Sequence, residues 1–405
     1  MLATYFPKPL NPHMGNWALD QAQAIRRCGI DIQVVSFTAW VPRWVARSKG
    51  ARAYALCPPE SAWADLQVHY PRWPVYPMAP FRPWRERNPL FELELGWRSS
   101  RAWLLSFIRA FQPDVVYAHH SAVNGFLAAR LKQECGLPFV VTDHDFGEIS
   151  LCREAPQRKR LFQQVVDSAF ATVSVASRME REVRELFPSA NALTVHNGSN
   201  SIPAFFHDIP RPPEIQDRQV LFSCGAFYER KGFPFLIDTF ARVAKHHPRA
   251  VLRIAGDGPE RELIARRIQS HGLSDRITLL GRIPHERVLQ EMVWSDAFVL
   301  LGWDEPFATV YSEAMSAGKP IVCCNDGGFN DVFVDGVHGF ALPPRDQGAS
   351  AAAISALLAD PDRTARMGRA CRELFEGKLH WNHNAMRMIE LFEEAVTAAI
   401  PARGI

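Results

Sequence analysis

Short apolar runs recur along the chain, separated by longer stretches whose apolar positions repeat with the period of a helix. Runs at 1–5, 31–37, 113–118, 139–142, 171–174 and 193–196 predict strands in the first half; runs at 220–224, 251–255, 277–280, 297–301 and 321–324 predict strands in the second. Helical spacing falls at 18–28, 124–135, 159–169, from a capping Ser177 to 187, and at 285–294. Two more helices are predicted around 347–359 and 362–376. A long amphipathic helix follows at 381–399, with Met388, Ile389, Leu391, Phe392 and Val396 on its apolar face. Strand and helix alternate with little else between them, which predicts the α/β class. Residues 40–112 break the pattern and read as the least regular part of the chain.

At 405 residues the chain is long enough for two domains. A Pro-rich stretch without periodicity, 201–218, reads as the linker. The domains are therefore expected at 1–200 and 201–380, the last helix being considered below. Net charge is +3, and it is uneven: residues 1–200 carry 23 Lys/Arg against 17 Asp/Glu, and the remainder carry 23 against 26. No RNA- or DNA-binding motif accompanies that balance, so no nucleic-acid partner is expected. The eight cysteines form no C-x-x-C pair and sit mostly in apolar runs, which fits reduced thiols in a cytoplasmic compartment. No apolar run reaches the roughly 18–20 residues that span a bilayer. Seven of the eleven tryptophans lie in 40–112, among prolines and arginines. Such a mixture can pack an elaborated domain, or seat one on the inner, anionic face of a membrane; both readings stand.

The richest chemistry lies at 303–320, WDEPFATVYSEAMSAGKP, directly after a buried strand. Glu305 precedes a predicted helix start and Glu313 lies within the helix. Phe307, Ala308 and Thr309 are expected as its first residues, with backbone N–H groups unpaired in the helix. Such an end attracts phosphate. Carboxylates on either side suit hydroxyls flanking a phosphate centre, as in a sugar nucleotide. An ordinary helix with acidic residues near its N-terminus fits the same stretch.

Two glutamates eight apart, with Pro-Phe after the first and A-M-x-A-G-x-P after the second, resemble the E-x7-E signature of glycosyltransferase family 4. The resemblance extends over most of the chain and implies the GT-B fold: two Rossmann-like domains facing across a cleft, with the last helix, 381–405, crossing back to the N-terminal, acceptor-side domain. It also implies transfer from a nucleoside-diphosphate sugar with retention of configuration. In the loop N-P-H-M-G-N-W, Gly15 and Asn16 match the segment that approaches the donor diphosphate. His144, in T-D-H-D, matches the residue near the transferred sugar, and His119 a less constant acceptor-side position. Asn197, in N-G, matches the point before the chain crosses over.

In the second half, G-A-F-Y-E-R-K-G resembles G-R-L-x-x-x-K-G. Lys231 matches the lysine that grips the diphosphate. The arginine position is Ala226, and Arg230 stands where some relatives read R-K-G. Gly256, in G-D-G-P, matches the turn beside the nucleotide; Arg282 and Ile283 match backbone that meets the base. By the same resemblance Glu305 binds donor-sugar hydroxyls and Glu313 the ribose. Lys231, Arg230 and the helix start would carry the leaving-group charge, so neither a metal nor a cofactor is required beyond the donor substrate. D-H-D also reads as the D-x-D metal signature of the other large glycosyltransferase fold, against which the two-domain pattern argues. The branch with N-P-x-x-G builds cell-wall and surface polysaccharide, implying a glycan or lipid-linked acceptor. A sugar-nucleotide epimerase and a nucleotide-sugar binder without turnover are the alternatives.

Overall fold

Parallel sheets organise both halves of the chain in the computed structural model, which describes residues 1–74 and 88–400. The chain divides into one unit of Met1–His196 with Trp381–Ile405, and a second of Asn197–His380. The change of unit falls a few residues before the expected 200, because Ser199 N donates to Leu379 O and Ser199 bridges His380.

In the first unit, β1 (Val34–Val35) pairs with β4 (Leu66–His69), which pairs with the antiparallel β3 (Glu60–Trp63). A separate ladder runs β6 (Val116–His119), β7 (Phe139–Asp143), β8 (Ala171–Ser174) and β9 (Ala192–Thr194). Leu2 joins the two by bridging Val35 on one side and Ala118 on the other, both in parallel. The strand expected at 1–5 contracts to this bridge, and the one expected at 31–37 to two residues. β2 (Thr38–Ala39) and β5 (Arg72–Trp73) form a small parallel pair. Side chains alternate between two cores: Val116, Ala118, Phe139 and Val141 enter one, Tyr117 and Val140 the other.

The helix Trp381–Ala399 belongs to the second of these cores through Trp381, Ala385, Met388, Leu391 and Phe392. Gln21 Nε2 donates to Asn384 Oδ1 at 2.6 Å, and Asn384 Nδ2 to His196 O at 2.9 Å, pinning its first turn. The largest departure from expectation is the helix Pro89–Phe111, inside the stretch read as irregular. Its buried residues Leu93, Trp97, Ser100 and Leu104 repeat at helical spacing, but large aromatics off that stripe, Phe91 and Trp103 among them, hide the period. Trp73 and Trp97 are buried, whereas Trp40 and Trp44 are 58% and 83% exposed, so the region's tryptophans divide between packing and surface. Trp84 lies outside the described residues.

The second unit is a six-stranded sheet ordered β12-β11-β10-β13-β14-β15, parallel throughout. The strands are β10 (Gln219–Cys224), β11 (Ala250–Ala255), β12 (Ile277–Gly281), β13 (Ala297–Val299), β14 (Ile321–Cys324) and β15 (Gly339–Leu342). In chain order this is 3-2-1-4-5-6, the doubly wound arrangement whose direction reverses between β10 and β13. β15 was not foreseen; its four residues follow a turn and are mostly half-buried. The stretch 201–218 is strapped to this unit: Gln290 Nε2 donates to Phe206 O, Trp294 Nε1 to Ile209 O, and Ile215 packs with Val220, Val251 and Trp294. Ser177 begins its helix and does not cap it, the preceding Ala176 holding the cap position.

Gly96 lies on the buried face of the helix Pro89–Phe111, where an added Cβ would fall 2.0 Å from the Trp73 ring. In an open helix Gly→Ala gains about 1 kcal/mol. Here Gly96→Ala should instead destabilise by about 1–3 kcal/mol through overpacking, measurable as a lower urea midpoint.

Candidate active site

Ligands of a doubly wound sheet sit beyond the carboxyl ends of the strands, where the winding reverses. In the second unit that point lies between β10 and β13, and the loops after these strands carry Arg230, Lys231 and Glu305. Close backbone approach brings them together. Gly232 has a left-handed backbone (φ 68°), and a Cβ there would fall 2.3 Å from Leu301 O. Trp303 N donates to Arg230 O at 3.0 Å, fastening loop to loop. Glu305 is buried at 4% exposure, with Lys231 Nζ 2.8 and 2.9 Å from its two carboxylate oxygens and Arg230 Nη1 3.3 Å away. The same Arg230 nitrogen donates to Asp304 O at 3.0 Å. Asp304 holds a left-handed backbone (φ 50°), and its N–H donates to Asp326 Oδ2. Such strain in a non-glycine residue persists where the surroundings enforce it. Arg230, Lys231 and Glu305 thus form one charged cluster, while Ala226 contributes only a methyl group.

The helix begins at Thr309, not at Phe307. Ala308 is its cap, with extended backbone, and Phe307 is buried against Phe329. Glu313 lies one turn in, and His285 Nε2 is 3.1 Å from its Oε1. Arg282 is exposed and Ile283 half-buried, just after β12 and before the helix that His285 opens. Gly256 follows β11; its N–H donates to Gly281 O at 2.9 Å, and a Cβ there would meet Gly225 O at 1.9 Å. The turns after β10, β11 and β12 are therefore packed backbone to backbone. Asn197 is buried at the start of the unit, its Oδ1 without a hydrogen-bond partner among the described residues.

In the first unit, β6 ends in His119 and β7 in Asp143, followed by His144. His144 Nε2 and His119 Nδ1 are 3.1 Å apart. Trp17 lies against both rings, at centroid distances of 3.9 Å to His144 and 5.1 Å to His119. Gly15 caps the helix Asn16–Arg27, which carries Trp17 and opens with Asn16. Burial first, and the neighbouring imidazoles second, hold both histidines well below the ordinary histidine range. His119 Nε2 and His144 Nδ1 have no partner among the described residues. In a neutral pair sharing one hydrogen bond, one of these outer nitrogens must carry a hydrogen, whichever ring donates. The pair can thus offer one N–H to a ligand oxygen. Asp143 instead accepts from Ser121 N at 2.8 Å and Ser121 Oγ at 2.6 Å, fixing the turn after β6. Among the described residues no three His, Cys, Asp or Glu side chains group as a metal site.

Two family patterns cover both units: "Glycosyl transferase 4-like domain" matches residues 14–198, and "Glycosyl transferases group 1" matches 206–374. The chain belongs to glycosyltransferase family 4. As a family 4 member it is a transferase that uses nucleotide sugars. It is 29% identical over 294 residues to a protein named glycogen synthase from Mycobacterium tuberculosis, covering 70% of this chain and 69% of that protein. Sucrose-phosphate synthase of Thermosynechococcus elongatus superposes with a TM-score of 0.76 at 20% identity, covering 95% of this chain and 93% of that one. HepE of Anabaena, solved with UDP, superposes at 0.71 and 16% identity, over 97% and 99%. These likenesses establish the GT-B fold.

Several residues of these two clusters escaped the sequence reading. Trp17 and His120 complete the aromatic cluster, with His120 edge-on to His144 at 5.3 Å. Trp17 stands beside the quoted Gly15-Asn16, and His120 beside His119, so adjacency was the available signal. His285 and Asp326 carry no such signal; only the fold brings them to Glu313 and Asp304.

The depressed histidines have a consequence for stability. Below pH 6.5 the unfolded chain takes up protons before the folded one, so stability is full above that value and falls with falling pH. Between pH 7 and 5 the unfolding free energy should drop, and His119→Gln should reduce the slope by up to about 1.4 kcal/mol per pH unit. Urea titrations at each pH measure both.

Proposed function

We propose that this family 4 enzyme moves a sugar from a UDP- or GDP-sugar to a hydroxyl of a lipid-linked or growing surface glycan, with retention of configuration and without a metal. The observation that carries the reading is the buried Glu305 carboxylate held by Lys231 and Arg230 at the reversal point of the second sheet. A departing nucleoside diphosphate gains negative charge, and Lys231 and Arg230 are the cations that would take it. Pre-positioned charges of this kind often supply the largest part of a rate enhancement. Arg230 would serve where Ala226 leaves no charge. Once the diphosphate draws on these cations, Glu305 is free to accept hydrogen bonds from sugar hydroxyls. Glu313, aligned by His285, would accept from the ribose, and the His119–His144 pair would donate to a sugar oxygen. Retention would follow from attack on the face that the diphosphate leaves, with the departing phosphate oxygen taking the acceptor proton. The exposed Trp40 and Trp44 support contact with a membrane-borne acceptor. Among the described residues no helix is long and apolar enough to cross a membrane.

Liquid chromatography of UDP-, GDP-, ADP- and dTDP-sugars incubated with the protein tests this. One donor should slowly release its nucleoside diphosphate, faster when a glycan acceptor is present. A new sugar nucleotide with the same base would mark an epimerase; binding without release, even with acceptors, would mark a binding protein. Lys231→Ala should lower release by about 10²–10³-fold. Glu305→Ala with an unchanged rate would remove Glu305 from the mechanism.

A further inference from the structure

At the amino ends of the strands, opposite the edge that carries Lys231 and Glu305, the second unit holds a cavity of about 920 Å³. Its walls include the residues just before β10, β11, β13 and β14: Arg218, Arg249, Asp296 and Pro320. Cavities of this size hold small molecules. Arg211, Arg218, Arg249, Lys319, Arg369 and Arg372 all line it, and Asp296 is the sole carboxylate among the lining residues.

That carboxylate is already engaged: Oδ1 accepts from Arg211 at 2.6 Å and Oδ2 from Val220 N at 2.7 Å. Arg249 donates to Asp217 O, and Arg372 to Ser316 O and Glu376. Lys319, Arg218 and Arg369 have no side-chain hydrogen bond or ion pair among the described residues. Burial, partly offset by Asp296, pushes Lys319 down to about 8. An unpaired ammonium in such surroundings is costly unless an anion joins it. Guanidinium groups suit phosphate oxygens in particular, since their forked donors match its geometry.

The geometry points to a second ligand site here, one that takes a small phosphorylated molecule, with Lys319, Arg218 and Arg369 as its principal contacts. It lies close to the donor site in one respect. The helix Thr309–Ser316, about 12 Å long, starts on the donor side and carries Glu313, while Ser316 O, held by Arg372, and then Lys319 follow at its other end. A test must therefore separate the two sites.

Inorganic pyrophosphate titrated calorimetrically into the full chain is the probe. Binding should survive in Lys231→Ala and weaken at least about tenfold in Lys319→Met and in Arg369→Ser, the latter an exposed position whose change leaves the fold intact. Loss of binding in Lys231→Ala, or unchanged binding in both cavity variants, would assign the pyrophosphate to the donor site and overturn the proposal. No heat at millimolar pyrophosphate would also overturn it. A companion measurement separates free phosphate from a lipid headgroup. If pyrophosphate fails to bind, while the protein sediments with phosphatidylglycerol vesicles and Arg369→Ser abolishes that, the cavity is a lipid contact and the small-molecule site is wrong.

Discussion

A carboxylate buried between two cations is the constraint around which the second unit is arranged. Removing the Glu305 carboxylate from water is expensive, and its attraction to the partly buried Lys231 and the exposed Arg230 repays the cost only with good geometry. That geometry depends on two loops from strands adjacent in the sheet but distant in sequence, closed by Trp303 N on Arg230 O and by the absence of a side chain at Gly232. A buried cluster of this kind is a poor way to stabilise a fold, since apolar residues of like volume often do as well. Its retention where the sheet reverses is better explained by what it can do with an anion. On the proposed function, a diphosphate arriving there would meet cations already oriented by Glu305.

Much of this was legible in the sequence, for identifiable reasons. Strands at 321–324 and 171–174 and the helix at 285–294 fall where the pattern put them, because each is uniformly buried or strongly amphipathic. The glutamate pair and R-K-G were readable because short loops tie them to strand ends, where local order fixes their place. Contacts that depend on register were not readable. Nothing local to His285 says that it meets Glu313, 28 positions on, and nothing local to Asp326 says that it holds Asp304 N. The helix start was misplaced by two residues because Phe307 serves as packing against Phe329. The proline-tryptophan-arginine region failed for a different reason. Its period lives in six buried positions of a 23-residue helix, two of them Gly96 and Ser100, and large aromatic residues off that stripe swamp the signal.

The tripeptide Asp143-His144-Asp145 shows why spacing alone misleads. As letters it matches a metal-binding signature. In space its members part company: Asp143 turns into the protein and accepts both hydrogen bonds that Ser121 offers, while His144 turns to His119 and Trp17. The period-two alternation of a strand end sends neighbours to opposite faces. Asp143 thereby sets the turn on which His120 sits, and so shapes the histidine cluster without belonging to it.

On the proposed function, that cluster and the charged groups of the second unit would supply opposite kinds of hydrogen-bonding partner. Donor hydroxyls and phosphates need both acceptors and donors of hydrogen bonds, held rigidly and without surplus charge. The second unit supplies acceptors as carboxylates, each matched to a basic group: Glu305 to Lys231 and Arg230, Glu313 to His285. The first unit would supply a donor as a neutral imidazole pair, kept uncharged by burial and, less strongly, by neighbouring positive groups, His120 among them. On the proposed function, a protonated histidine there would add a cation where a sugar, not a phosphate, would be held. Burial of His119 against Tyr117 and Trp17 is thus more than packing: it favours the neutral state, in which one outer nitrogen of the pair carries a hydrogen.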